Sequence, residues 1–526
     1  MSTPAASREA YDVVVVGGGH NGLTAAAYLS RAGLSVLVLE RLERTGGAAV
    51  SAQAFPGHPV RLSRYSYLVS VMPDALMADL GLDVRLTSRP TASYTPTLRD
   101  GYASGLYVER HEADETAASF AALTGGPDEY AAWQAFYAGV GDLARVLGPT
   151  FMQPLPSADQ VRAGVDDDIW RDVVERPIGE AIERRFRDET VRGVVGTDAL
   201  IGTFASLHDP SLVQNRCLLY HLVGNGTGEW RVPVGGMGAV TDALARSAAG
   251  AGAEVLTGAG VSAVRADGDG AEVTWGGPGD EHTVRASYVL ANVAPWVLQV
   301  LLGEDPPVED KPMGAQLKIN LLLDRLPRLR SGMDPEKAFA GTFHLNEDLW
   351  QVEDAYTQAA SGLIPSALPG EVYCHSLTDP SILGDAPAGM HTMTYFGLHA
   401  PASLFETDRE HRTAMAVDRA LASLDQHLAE PIMSVVARDA HGNPCLEAKV
   451  PQDVEDDLAM PGGHIFHGDL EWPWAAPRAR LDTPAQQWGV QTGLDRVLMC
   501  GSGARRGGAV SGLGGHNAAQ AVLAMR

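Results

Sequence analysis

Gly17, Gly19 and Gly22 stand as Gly-x-Gly-x-x-Gly between an apolar run, Val13–Val16, and an alanine-rich stretch that begins at Leu23. This spacing suits phosphate binding. Gly17 permits a tight turn, Gly19 lets the backbone approach a pyrophosphate, and Gly22 allows a helix to pack closely on a strand. The phosphates then meet free N–H groups and the positive end of a helix dipole. His20 and Asn21 follow Gly19 in this loop and are expected as supporting contacts to the ligand. Glu40 lies 23 positions after Gly17 (40 − 17), at the end of the next apolar run, where a carboxylate accepts hydrogen bonds from a ribose. Its charge disfavours a 2′-phosphorylated nucleotide. The set implies a dinucleotide.

Two further features favour FAD over NAD. Arg44-Thr45-Gly46-Gly47 forms a second backbone cradle soon after Glu40. Near the other end, a glycine-rich segment from Gly501 to Gly515 runs into a last helix. Its N–H groups suit a ribityl chain or an isoalloxazine carbonyl, and a nicotinamide dehydrogenase needs no such return. Gly501, Ser502, Gly508, Gly512 and Asn517 are therefore expected at the cofactor, and Arg41 and Val261 complete the set. No second strand–Gly-x-Gly-x-x-Gly–helix unit is present, which argues against a separate NAD(P)H site.

The candidate acid–base residues are His467, His516 and Lys318. Both histidines lie in glycine-rich segments expected near the flavin, and imidazole titrates near neutrality. A loop histidine that satisfies backbone groups is the alternative for each. Lys318 shares a strand face with Gln316 and Asn320. A lysine near flavin can organise a water or help oxygen react, whereas a surface or salt-bridged lysine would do neither. Glu471 near His467 reads as a solvated loop acid. Tyr65, Tyr67, Trp230, Trp472 and Trp474 could line an apolar tunnel or pack in a core.

These residues need a scaffold. Val13–Val16 reads as a buried parallel strand, Leu23–Ala32 as a helix ended by Gly33, and Ser35–Leu39 as the next strand. Residues 102–110 read as a strand, 114–192 as a mainly helical insert, and 238–250 as a helix. Strands are expected at 254–256, 261–265, 287–291, 315–323 and 496–500, with a last helix over 517–525. The FAD-binding domain is accordingly expected to be discontinuous, over 1–113, 233–300 and 488–526. A substrate-binding domain would comprise 114–232 and 301–487.

Bulk properties narrow the class. The chain has 526 residues, 45% of them hydrophobic, enough for a large core. Its net charge of −25 repels nucleic acid and anionic membrane. Only four lysines occur, Lys311, Lys318, Lys337 and Lys449. No apolar run approaches the ~20 residues of a membrane span, and the first residues lack a signal-peptide pattern. Cys217, Cys374, Cys445 and Cys500 are far apart, so no disulfide framework or metal site is expected. The chain reads as cytoplasmic. Peripheral membrane contact and oligomeric state stay open.

Residues 17–23, Trp230 to Gly238, Gly462 to Gly468 and Gly507 to Gly512 fall in an order that resembles the phytoene desaturase-related flavoproteins. Among these, the chain is similar to the branch of pyridine nucleotide-disulfide oxidoreductase domain-containing proteins and flavin-type β-carotene ketolases. Two positions depart from the pattern, Ala48 where relatives carry Arg and Arg506 where they often have Pro. The resemblance implies an α/β fold of the glutathione-reductase and amine-oxidase type, a discontinuous Rossmann-like FAD-binding domain with an inserted α+β substrate domain. It also implies FAD and an apolar, carotenoid- or polyene-like substrate. The expected reaction is dehydrogenation by hydride transfer to flavin N5, with oxygen, a quinone or another acceptor taking the electrons. An oxygen-using ketolase or amine oxidase-like enzyme, and an idle flavin-bound protein that binds a ligand or partner, are the alternatives.

Overall fold

The computed structural model describes residues 3–526. Its first sheet is built around Ala10–Val16, whose Val13, Val14 and Val15 are fully buried. Such a strand, apolar on both faces, needs cover above and below and therefore sits in the middle of a parallel sheet. It pairs in parallel with Val36–Leu39 on one side and His282–Ala291 on the other. Glu254–Leu256 extends the sheet beyond Val36–Leu39. An antiparallel hairpin, Val261–Ala266 and Ala271–Trp275, extends the other side. Val497–Met499 joins in parallel beside the C-terminal end of His282–Ala291. Three distant chain segments thus share one nucleotide-type sheet, as expected.

Helices His20–Arg31, Met237–Gly250 and Leu513–Ala524 pack together on this sheet. The first and last come closest at Gly515, where an added Cβ would lie 1.9 Å from the Asn21 carbonyl oxygen. A Gly515→Ala substitution is expected to lower unfolding stability by about 3 kcal/mol, the upper range for overpacking. Denaturant unfolding measures it, and an unchanged midpoint would contradict the close crossing.

The second sheet has seven strands in the order Leu446–Lys449, Leu317–Leu323, His391–Gly397, Gly370–Tyr373, Thr342–Leu345, Thr91–Arg99 and Tyr102–Glu109. Residues 91–109, expected with the nucleotide-binding segment, belong here instead. Thr91–Arg99 pairs in parallel with Thr342–Leu345 and carries Tyr102–Glu109 along as its hairpin partner. A third body is helical, as expected from residue 114 onward. Asp128–Leu147, Ile178–Arg185 and Glu189–Thr197 supply much of its separate apolar core. Val213–Val223 adds a further helix, which the sequence pattern did not mark. No described helix is long and apolar enough to cross a membrane.

Candidate active site

A cavity of about 770 Å³ runs between the three bodies. One end is the glycine loop. Gly17, Gly19, His20, Glu40, Arg41 and Gly47 line it, with Val261 and Ser502. Gly17 has φ +100°, and a Cβ there would lie 2.8 Å from the Asn292 carbonyl oxygen. The Glu40 carboxylate is buried, accepting from Gly18 N at 2.7 Å and Leu42 N at 2.8 Å. These two bonds fix the acid at the end of its strand and leave lone pairs for a sugar hydroxyl. A side-chain-free loop beside a fixed carboxylate fits a dinucleotide.

Hydrogen bonds and close packing from the other expected cofactor residues shape this end. Asn21 Nδ2 donates to the Gly507 carbonyl at 3.2 Å, and His20 Nε2 donates to the Ala509 carbonyl at 3.0 Å. The two glycine segments are thereby tied together. Gly46 (φ +114°) donates to the Gly18 carbonyl at 2.9 Å. Gly22 lies under the helix, with room for no side chain. Gly501 abuts Asn292, Gly508 abuts Leu470, and Gly512 (φ +71°) caps the last helix. Asn517 is fully buried in that helix. Arg506 is also buried. Its guanidinium donates to the carbonyls of Thr150 (2.7 Å) and Gln153 (2.9 Å), which locks the returning segment to the helical body.

Of the three acid–base candidates, two reach the cavity. Lys318 is 5% exposed, and its Nζ donates to the carbonyls of Ser63 (2.8 Å) and Tyr65 (2.5 Å). It also sits over the Tyr67 ring at 4.8 Å. Burial holds its amine well below the usual lysine range. Burial thus disfavours the charged ammonium, whose donors are held by those two carbonyls at the cavity wall. His467 lines the cavity in a left-handed conformation (φ +67°), and its Nδ1 is buried without a partner. Burial, then the neighbouring His464 and His20, push it down to about 4.

His516 is not at the cavity. The last helix turns it between Tyr28 and Trp488, edge-on to both rings, and its Nδ1 meets Asn517 Oδ1 at 2.9 Å. Its glycine-rich setting suggested a cofactor contact, but its place in the last helix packs the buried ring against Tyr28 and Trp488 instead. Tyr65, Tyr67 and Trp230 line the cavity. Trp472 and Trp474 stack on each other at 5.0 Å elsewhere, and Glu471 pairs with Arg505.

The second sheet presents one register row to the cavity. Lys449, Lys318, Phe396, Glu371 and His344 lie directly opposite one another across five strands. All five line the cavity wall. Beside them, Tyr373 O–H donates to the Glu371 carboxylate, and the Tyr373 ring lies 4.8 Å from that of Tyr67. Burial, reinforced by Glu347, raises Glu371 to about 8. Asn292, Glu371, His344 and Tyr373 escaped the sequence reading. Asn292 directly follows the strand His282–Ala291, where a polar residue at a parallel strand's C-terminal end could have marked it. The others carry only a period-two signal within short strands.

Buried imidazoles give the fold an acid sensitivity. Burial pushes His375 and His399 down to about 3, and His20, His467 and His427 down to about 4. As pH falls below the unfolded value of about 6.5, the unfolded chain takes up protons that the native state refuses. Glu371 acts in the opposite sense, because its native carboxyl keeps a proton up to about 8. Burial also lowers His221, His391 and His516, while His344, Glu347, Asp348 and Asp425 are raised like Glu371, so the lowered imidazoles outweigh the raised groups. Unfolding stability is expected to fall by roughly 5 kcal/mol between about pH 7 and about pH 5. Urea midpoints across that range check this, and a constant midpoint would contradict it.

Comparison with known proteins agrees with this geometry. Residues 22–438 match the flavin containing amine oxidoreductase family. The chain is 53% identical to an uncharacterized protein of Mycobacterium tuberculosis, over 98% of this chain and 97% of that one. It is 31% identical to pyridine nucleotide-disulfide oxidoreductase domain-containing protein 2 of Mus musculus, over 98% and 93% of the two chains. Cyclohexylamine oxidase from Brevibacterium oxydans shares the fold, with TM-score 0.56 and 17% identity over 98% of each chain. The chain belongs to the flavin-containing amine oxidoreductase family, and its cofactor is FAD. Within it, the Mus musculus relative carries the disulfide-oxidoreductase name, although this chain has no Cys-x-x-Cys.

Proposed function

We propose that the protein dehydrogenates a carbon–carbon bond of an apolar, unsaturated, polyene-like substrate. One observation carries this reading: beyond the nucleotide end, the cavity continues along an apolar helical wall that includes Trp133, Tyr137, Val140, Ala144, Val194 and Ile201. Such a wall suits a long apolar body. The bound flavin supplies the acceptor for a hydride equivalent. Phe396 and Tyr67 hold the substrate flat against the second sheet. Lys318 and His467, both favoured in their neutral forms, are the groups able to take the adjacent proton. The resemblance to phytoene desaturase-related flavoproteins supports the same reaction.

A second reading, oxidation of an amine with oxygen as acceptor, is favoured by the family match and by the buried Lys318, a type of residue that can help oxygen react. Product analysis separates the two. Dehydrogenation removes two hydrogens from the substrate and leaves its heteroatoms untouched. Amine oxidation releases ammonia or an amine together with peroxide. Stoichiometric peroxide with an aldehyde or ketone product would overturn the first reading.

A further inference from the structure

The part of the cavity away from the glycine loop is not purely apolar. Arg89 and Arg110 both line it. Arg89 lies two residues before the strand Thr91–Arg99, and Arg110 directly follows Tyr102–Glu109. Arg110 N donates to the Pro90 carbonyl at 3.0 Å, which brings the two strand ends together. Arg89 is 95% buried (5% exposed). Its Nη1 donates to Thr342 Oγ1 at 3.2 Å, while its buried Nε has no partner. Among the described residues no carboxylate lies within ion-pair distance of it.

Arg110 is little better served. Its buried Nε also lacks a hydrogen-bond partner, and the nearest carboxylate oxygen, Glu229 Oε1, is 4.0 Å away. Burial, then the charge of Arg89, lowers the Arg110 guanidinium to about 10. Glu229 offsets part of the Arg110 charge, and burial disfavours the ionised form of Glu371, so Arg89 is left without an ion-pair partner. Buried Arg89 and part-buried Arg110 repel each other on one cavity wall, and each has an Nε donor without a hydrogen-bond acceptor, which is costly unless an oxyanion meets them. The guanidinium fork matches a planar carboxylate.

The position within the cavity matters as much as the charge. Contacts run from Lys318 to Tyr67 (4.8 Å), from Tyr67 to Tyr373 (4.8 Å) and from Tyr373 to Arg89 (5.6 Å). Arg89 is therefore linked to Lys318 through the aromatic pair, with Tyr373 beside the arginine and Tyr67 beside the lysine. An anion at Arg89 would sit beside Tyr373, in the same cavity as the glycine loop. We propose that Arg89 and Arg110 seat the carboxylate head of the substrate, which is a long-chain unsaturated acid rather than a bare hydrocarbon. This rests on the dehydrogenation reading for its reaction, and on the arginine pair alone for its head group.

The test is equilibrium binding to the FAD-loaded protein, independent of turnover. Dodecanoate, dodecanol and dodecyl phosphate share a tail and differ in the head. Dodecanoate is expected to bind at least about tenfold more tightly than dodecanol. Arg89→Gln is expected to abolish that preference, and Arg89→Lys to keep part of it. Arg110→Gln gives the same readout if Arg89→Gln does not fold. Equal binding of acid and alcohol, or a preference that survives both glutamine variants, would overturn the seat. Tighter binding of the phosphate than of the acid would overturn the carboxylate assignment. Failure of the reaction is distinguishable: a bound unsaturated acid that is never dehydrogenated removes the reaction and keeps the seat. Dehydrogenation of neutral polyenes without acid preference does the reverse.

Discussion

A Gly22→Val variant is expected to purify folded but without flavin, with FAD affinity lowered about a hundredfold. A Cβ at Gly22 would lie 2.3 Å from the Gly17 carbonyl oxygen, 2.8 Å from Asn292 Nδ2 and 3.1 Å from Val15 Cγ1. Real Cβ atoms do not approach backbone oxygen so closely, so the helix must lift from the loop. Overpacking of this kind costs about 1–3 kcal/mol, and the upper figure corresponds to about a hundredfold in binding. The loss falls on the cofactor because the same displacement moves the helix N-terminus away from the phosphates. Gly19→Val acts differently. Gly19 has an ordinary φ of −72°, but its side chain would enter the cavity wall that the cofactor uses. Absorbance of the purified variants, followed by FAD titration, checks both. A full flavin complement in either would contradict the assignment of this loop.

The second large effect is expected at Lys318. Lys318→Met should retain FAD yet reduce the cofactor with substrate about a hundredfold more slowly, the lower range for loss of a general acid–base group. Methionine fills a similar volume but can neither take a proton nor hold the carbonyls of Ser63 and Tyr65. His467→Gln is the comparison, since it removes the other proton acceptor on the wall. Single-turnover absorbance of the flavin reads the step without product release. An unchanged rate in Lys318→Met would leave the lysine as a tether for residues 63–65 and nothing more.

The nucleotide end was legible in the sequence because its information is local. Val13–Val16, the three glycines and Glu40 occupy one strand–helix–strand unit, and each residue type serves a single geometric need. The return of Val497–Met499 was readable from the glycine segment that follows it. The second sheet was not. Its neighbours come from residues 446, 317, 391, 370, 342 and 91 in that spatial order, and no sequence period encodes such pairing. Thr91–Arg99 was therefore grouped with the preceding nucleotide segment. The same gap hid the wall row. Lys318, Glu371 and His344 become neighbours only through register, and a two-residue alternation does not say which face meets the cavity. His516 shows the converse. A glycine-rich context pointed to the flavin, but the residue already lies within the last helix, whose rotation sets its direction.

Anaerobic reduction of the FAD-loaded protein separates the two reactions. Flavin absorbance is followed after mixing with a long-chain polyene or polyenoic acid, and in parallel with cyclohexylamine and putrescine. The unsaturated apolar compound is expected to bleach the flavin and to be recovered with two hydrogens fewer, while the amines leave the spectrum unchanged. Bleaching by the amines alone would contradict the dehydrogenation reading and assign the cavity to amine oxidation.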